Sequence, residues 1–91
     1  MRRFVIEREI PGIGKADREA LKGAATKSNA TLKELGPEIQ WVESFVAADK
    51  TFCIYLAKDE AAIHEHARRS GFPANKITEI VRLFDPTTAG G

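Results

Sequence analysis

Apolar and polar positions alternate with two different periods along this chain. From Arg2 to Ile10 the period is two, with Phe4, Ile6 and Arg8 on one side and Val5, Glu7 and Glu9 on the other. That pattern predicts a strand. Pro11-Gly12-Ile13-Gly14 stops it, because proline removes a ladder donor and glycine supplies turn freedom. From Asp17 to Leu35 the period lengthens to that of a helix: Leu21, Ala24, Ala25, Ser28, Leu32 and Leu35 share one stripe, opposite Lys22, Thr26, Asn29 and Lys33. Asp17 and Glu19 suit the positive end of the helix dipole, and Gly36-Pro37 ends the run. The small residues within the stripe predict a helix lying close against a sheet.

The densest apolar stretch, Ile39 to Ala57, reads as a hairpin turning at Ala48-Asp49-Lys50. Phe52, Ile54 and Leu56 form a wholly apolar row on its second strand, which assigns that row to the helices and leaves Thr51, Cys53 and Tyr55 on the other face. On the first strand, Val42, Ser44 and Val46 match the helix side, while Trp41, Glu43 and Phe45 point away. Apolarity alone carries this assignment, and a slip of one residue inverts it. A second helix follows from Asp59 to Ser70, with Asp59 as its N-cap and Gly71 as its stop. Ala62, Ile63, His66 and Ala67 make its inner stripe. Lys76 to Phe84 reads as the last strand, broken by Asp85-Pro86, and Thr87 to Gly91 as a flexible polar tail.

The order β-α-β-β-α-β predicts an α+β protein: a ferredoxin-like sandwich over residues 1–86, antiparallel strand order 4-1-3-2, both helices on one face. The opposite face then carries Val5, Trp41, Phe45 and Tyr55. So many large groups on one open patch imply a cover. The expected cover is a second copy of the chain, in a homodimer formed through this face.

Composition narrows the partners. With 91 residues the chain is one small domain, and 14 basic against 13 acidic side chains leave a net charge of +1. Such balance provides no field for nucleic acid or an anionic membrane surface. No apolar run approaches the ~20 residues of a membrane span. Met1-Arg2-Arg3 leads into a charged strand rather than a signal segment. The single cysteine forms no internal disulfide, which matches a reducing cytoplasm.

The polar exceptions on the expected open face are the candidates for chemistry. Glu7, Glu43 and Cys53, with His66 reaching past the sheet edge, form the candidate metal set, since thiolate, imidazole and carboxylate suit divalent transition ions. Trp41, Phe45 and Tyr55 are the candidate walls of a small-ligand site. The alternatives are plain: the carboxylates pair with Arg8, Arg82 or a partner chain, Cys53 is a small buried hydrophobe, and His66 is a satisfied core histidine. His64 and His66 are two residues apart and diverge on a helix, whereas Glu60 and His64 have the spacing of a solvated surface pair. Gly12-Ile13-Gly14-Lys15 lacks both the glycine spacing and the hydroxyl of a phosphate loop. No residue set identifies a catalytic nucleophile or triad.

Taken as an ordered series, Glu7-Arg8, Glu34-Leu35-Gly36-Pro37, Gln40-Trp41-Val42, Asp49-Lys50-Thr51-Phe52-Cys53 and His66-Ala67 before Gly71 and Pro73 resemble a bacterial family of short ferredoxin-like proteins described as of unknown function or nickel-binding-protein-like. The resemblance runs from Phe4 to Pro86. It implies a ferredoxin-like fold, dimers, and nickel or similar metal binding in some members. "Ferredoxin-like" describes topology only, because one cysteine cannot hold an iron–sulfur cluster in the usual way. Three expectations follow: a dimeric protein binding a divalent metal or small ligand on its open sheet face, a cofactor-free enzyme using Glu7, Glu43 or His66 as acid and base, or a plain interaction module.

Overall fold

The structure is a computed structural model and describes residues 1–90. β1 (Arg2–Glu9) leads to α1 (Arg18–Leu35), the hairpin β2 (Ile39–Val46) and β3 (Lys50–Ala57), α2 (Glu60–Ser70) and β4 (Lys76–Ile80). All strand pairs are antiparallel, in the order β2-β3-β1-β4. The α+β class and the element order are those expected.

Local chemistry sets the boundaries. The Asp17 carboxylate accepts from the Ala20 N–H at 2.9 Å, and that of Asp59 from the Ala62 N–H at 3.0 Å, each occupying a donor that the first helical turn leaves free. α2 ends at Gly71, whose φ of 79° lies in the left-handed region and lets its N–H return to the Ala67 carbonyl. Gly14 serves a different need. Its N–H donates to the Ala48 carbonyl at 2.9 Å, and a Cβ there would lie 2.8 Å from backbone atoms of Ala47 and Ala48. Together with the Gly12 N–H donating to the Asp49 carboxylate at 2.9 Å, this straps the β1–α1 loop onto the hairpin tip.

The core comprises Phe4, Ile6, Ile39, Ala57 and Ile63, joined by Cys53 and Tyr55, with Leu32, Leu35, Trp41 and Ile77 packed against it. Tyr55 meets Ser28 of α1 and the His66 ring of α2, so its side of the sheet is the helix side. This corrects the expected face of β3. Thr51, Cys53 and Tyr55 are buried beneath the helices, and Phe52, Ile54 and Leu56 are half-exposed on the open face. The apolar row misled because the helices bring polar partners of their own: Ser28, Thr31, His66 and Ser70 are all buried.

β2 required a second correction. Its pairing with β3 runs Trp41↔Tyr55 and then Glu43↔Ile54, which leaves Val42 as an extra residue. Such a bulge reverses the alternation. Trp41 therefore shares the helix side with Tyr55, while Glu43 and Phe45 stay on the open face as expected. Val42, expected inward, is instead 51% exposed.

β4 is shorter than the expected strand from Lys76 to Phe84. Ile80 already pairs with Arg3, so almost no β1 remains to hold Val81–Phe84. Val81, Leu83 and Phe84 are exposed. Beyond them the Asp85 carboxylate accepts from the Thr87 N–H at 2.9 Å, and residues Pro86–Gly90 form a 3₁₀ turn. The last residue of the expected tail, Gly91, lies outside the described residues.

Candidate functional site

The corrected faces scatter the expected metal set. Glu7 lies opposite Phe52, and Glu43 opposite Ile54, both on the open face. Cys53 and His66 are buried on the other side of the sheet. Glu7 pairs with Lys50 at 3.3 Å rather than with Arg8 or Arg82. Among the described residues no three His, Cys, Asp or Glu side chains converge as a metal site. The donor set of a single chain does not fit a nickel ion. Glu60 and His64 stand 3.7 Å apart as an exposed surface pair.

Of the expected ligand walls, Trp41 and Tyr55 come together, and Phe45 does not join them. A cavity of about 290 Å³ opens between α1 and the sheet. Leu21, Ala24, Ala25 and Ser28 of α1 form its roof. Thr51, Cys53 and Tyr55 of β3 form its floor, with Trp41, Ser44 and Val46 of β2 along one side. Arg8, Phe72 and the strapped loop at Ile10 and Ile13 close the remainder. The cavity follows from the sequence: the small residues Ala24, Ala25 and Ser28 in the middle of α1 leave a gap where a Leu or Phe would fill the core. Further along α1, Leu32 and Leu35 pack against the core.

The polar groups here are few and tightly placed. The Ser28 hydroxyl stands 3.2 Å from His66 Nε2 and 3.5 Å from the Tyr55 hydroxyl, and the Tyr55 and His66 rings lie 5.2 Å apart. Burial drives the His66 imidazole down from 6.5 to about 4, and the nearby positive Arg8 acts in the same direction. Burial pushes the Tyr55 phenol above its ordinary range, against the opposing pull of Ser28 and Arg8. The Trp41 indole N–H donates to the Ser44 hydroxyl at 2.9 Å, which holds the ring in place.

Arg8 is the residue that sequence reasoning underrated. It is only 3% exposed, although its charge is unmatched by any ion pair among the described residues. Nη1 donates to the Pro73 carbonyl at 2.6 Å, and the guanidinium lies 5.7 Å from the Phe72 ring centre and 5.9 Å from that of Tyr55. Nη2 is buried without a partner, as is His66 Nδ1. The signal was present in the alternation of β1, which sets Arg8 in line with Phe4 and Ile6.

A larger depression of about 350 Å³ lies at the other end of the sheet, between Met1–Arg3 and Glu79–Leu83. Its central charges satisfy each other, since Arg2 and Glu79 pair at 2.6 Å on the surface. No helix among the described residues is long and apolar enough to cross a membrane.

Fold and cavity define a small α+β domain with a pocket between helix and sheet. The family model described as nickel responsive protein SCO4226-like matches residues 4–80, and the chain belongs to this SCO4226-like family. Among solved structures, the crystal structure of SCO4226 from Streptomyces coelicolor A3(2) is similar, with a TM-score of 0.75 at 16% identity, over 90% of this chain and 99% of that one. At that identity the likeness is one of fold. No curated protein matches the chain.

Proposed function

We propose that this protein is a small-molecule-binding protein of the cytoplasm, built as a ferredoxin-like sandwich with both helices on one face, and that its ligand occupies the cavity beneath α1. The observation that carries this reading is the cavity itself: apolar and aromatic walls with a few convergent polar groups, among them Arg8, whose Nη2 lacks a partner. That is the usual make-up of a small-ligand site, and about 290 Å³ lies at the lower end of the usual size. The free, buried Cys53 supports a reducing compartment. Filling the cavity from its roof tests the reading. Small aromatic molecules bind the unaltered protein saturably in ligand-observed NMR, and Ala25→Phe abolishes that binding. Undiminished binding in the variant would place the ligand elsewhere.

Homodimer formation through the open face belongs to the same proposal. Val5, Phe52, Ile54, Leu56 and Phe45 form its apolar row, and Phe45 is 54% exposed in the single chain. A metal role is the second reading, supported by the nickel-responsive description of the family. Only Glu7 and Glu43 of the expected donors share the open face, so a metal there needs donors from both copies. Calorimetric titration with Ni²⁺ tests it: heat that saturates and vanishes in Glu43→Gln supports a shared site, and the absence of heat removes it.

A further inference from the structure

We propose that the cavity takes a small aromatic carboxylate, its anionic group held by the Arg8 guanidinium and its ring seated among Trp41, Tyr55 and Phe72. This inference rests on the binding reading above and adds the chemical class of the ligand.

A guanidinium carries five N–H donors and cannot shed its proton, so a buried arginine normally faces a carboxylate. Arg8 has one carbonyl and two ring faces instead, and Nη2 is left with nothing. Burying an unmatched charge is costly, and an anion entering from the cavity removes that cost. None of the described lining residues is acidic. Lys27, whose ammonium lies 5.5 Å from the Phe72 ring centre, adds positive charge close by. Burial is the main cause of the lowered His66 pKa, and the Arg8 charge acts on it in the same direction.

Size and shape select the rest of the ligand. An apolar cavity of roughly 150 Å³ is enough for benzene. This one is about 290 Å³, which leaves room for a ring and one attached polar group. A single guanidinium matches a monoanion in a two-pronged hydrogen bond, whereas a phosphate dianion calls for further cations. Flat aromatic walls favour a flat aromatic body.

Trp41, the only tryptophan of the chain, lines the cavity and reports on its contents. The test is a fluorescence titration with phenylacetate and with its neutral counterpart phenylacetamide. The expected result is saturable binding of both, with the acid about tenfold tighter or more. Arg8→Met is expected to erase the preference while leaving amide binding, and Arg8→Lys to retain part of it. Equal affinity of acid and amide for the unaltered protein overturns the inference and leaves the cavity as a neutral-ligand site. No saturable response to either compound overturns both readings together. The comparison in the unaltered protein decides the matter even where an Arg8 variant fails to fold.

Discussion

Mild acid should weaken this protein through His66. The imidazole is 1% exposed, receives or donates one hydrogen bond at Ser28, and faces the Arg8 charge and the neutral Tyr55 phenol. Folding lowers its pKa from 6.5 to about 4. The folded chain thus refuses a proton that the unfolded chain accepts. Its contribution to stability is complete above the unfolded value and is lost as pH falls from there toward the folded one. At about 1.4 kcal/mol per unit, the loss between about pH 7.5 and about pH 4.5 comes to roughly 2.5 kcal/mol. Glu79 and Asp85 also have lowered pKa values, through hydrogen bonds from Arg2 and Thr87 respectively, and add their own acid sensitivity. A His66→Gln variant isolates the histidine, because it retains those carboxylates and a polar group facing Ser28. Urea unfolding of both proteins at the two pH values is the assay. The stability of wild type relative to the variant should fall by roughly 2.5 kcal/mol on acidification. Parallel pH profiles for the two proteins would refute the reasoning.

Arg8→Met should leave the ligand-free protein as stable or up to about 1 kcal/mol more stable, since it removes an unpaired buried charge while keeping the volume. In the same variant the His66 pKa should rise, as NMR titration of its ring protons would reveal. Gly14→Ala should cost about 1–3 kcal/mol in thermal or urea unfolding, because the added methyl meets the Ala47 and Ala48 backbone. Ile54→Glu, at the centre of the open face, should convert a dimer to a monomer in sedimentation velocity with little loss of helical signal. If the native protein sediments as a monomer, the open-face proposal fails.

Element order, helix starts and stops were legible because each rests on neighbours in sequence: Asp59 as the cap of α2 and Gly71 at its end, with Asp17 read for its charge at the start of α1 and found to cap it. Faces were harder to read. In β1 strict alternation held, and Phe4, Ile6 and Arg8 share the buried side. In β3 the more apolar row is the less buried one, because Tyr55 finds polar company in Ser28 and His66, which arrive from distant parts of the chain, while Thr51 and Cys53 meet each other. In β2 one extra residue, Val42, reversed the alternation midway, and nothing about an apolar valine announces a bulge. The cavity was implicit in Ala24, Ala25 and Ser28, but those residues also suit a tightly docked helix. The length of β4 was set by its partner, which runs out near Arg3.

The Val42 bulge has a consequence beyond the placement of Trp41. β2 is one border of the sheet, and its irregular backbone is a poor template for an incoming strand. The opposite border, β4, offers only five residues and begins with a lysine. Both rims are thus blunted against lateral growth, so copies of this chain are guarded from zipping edge to edge into fibrils.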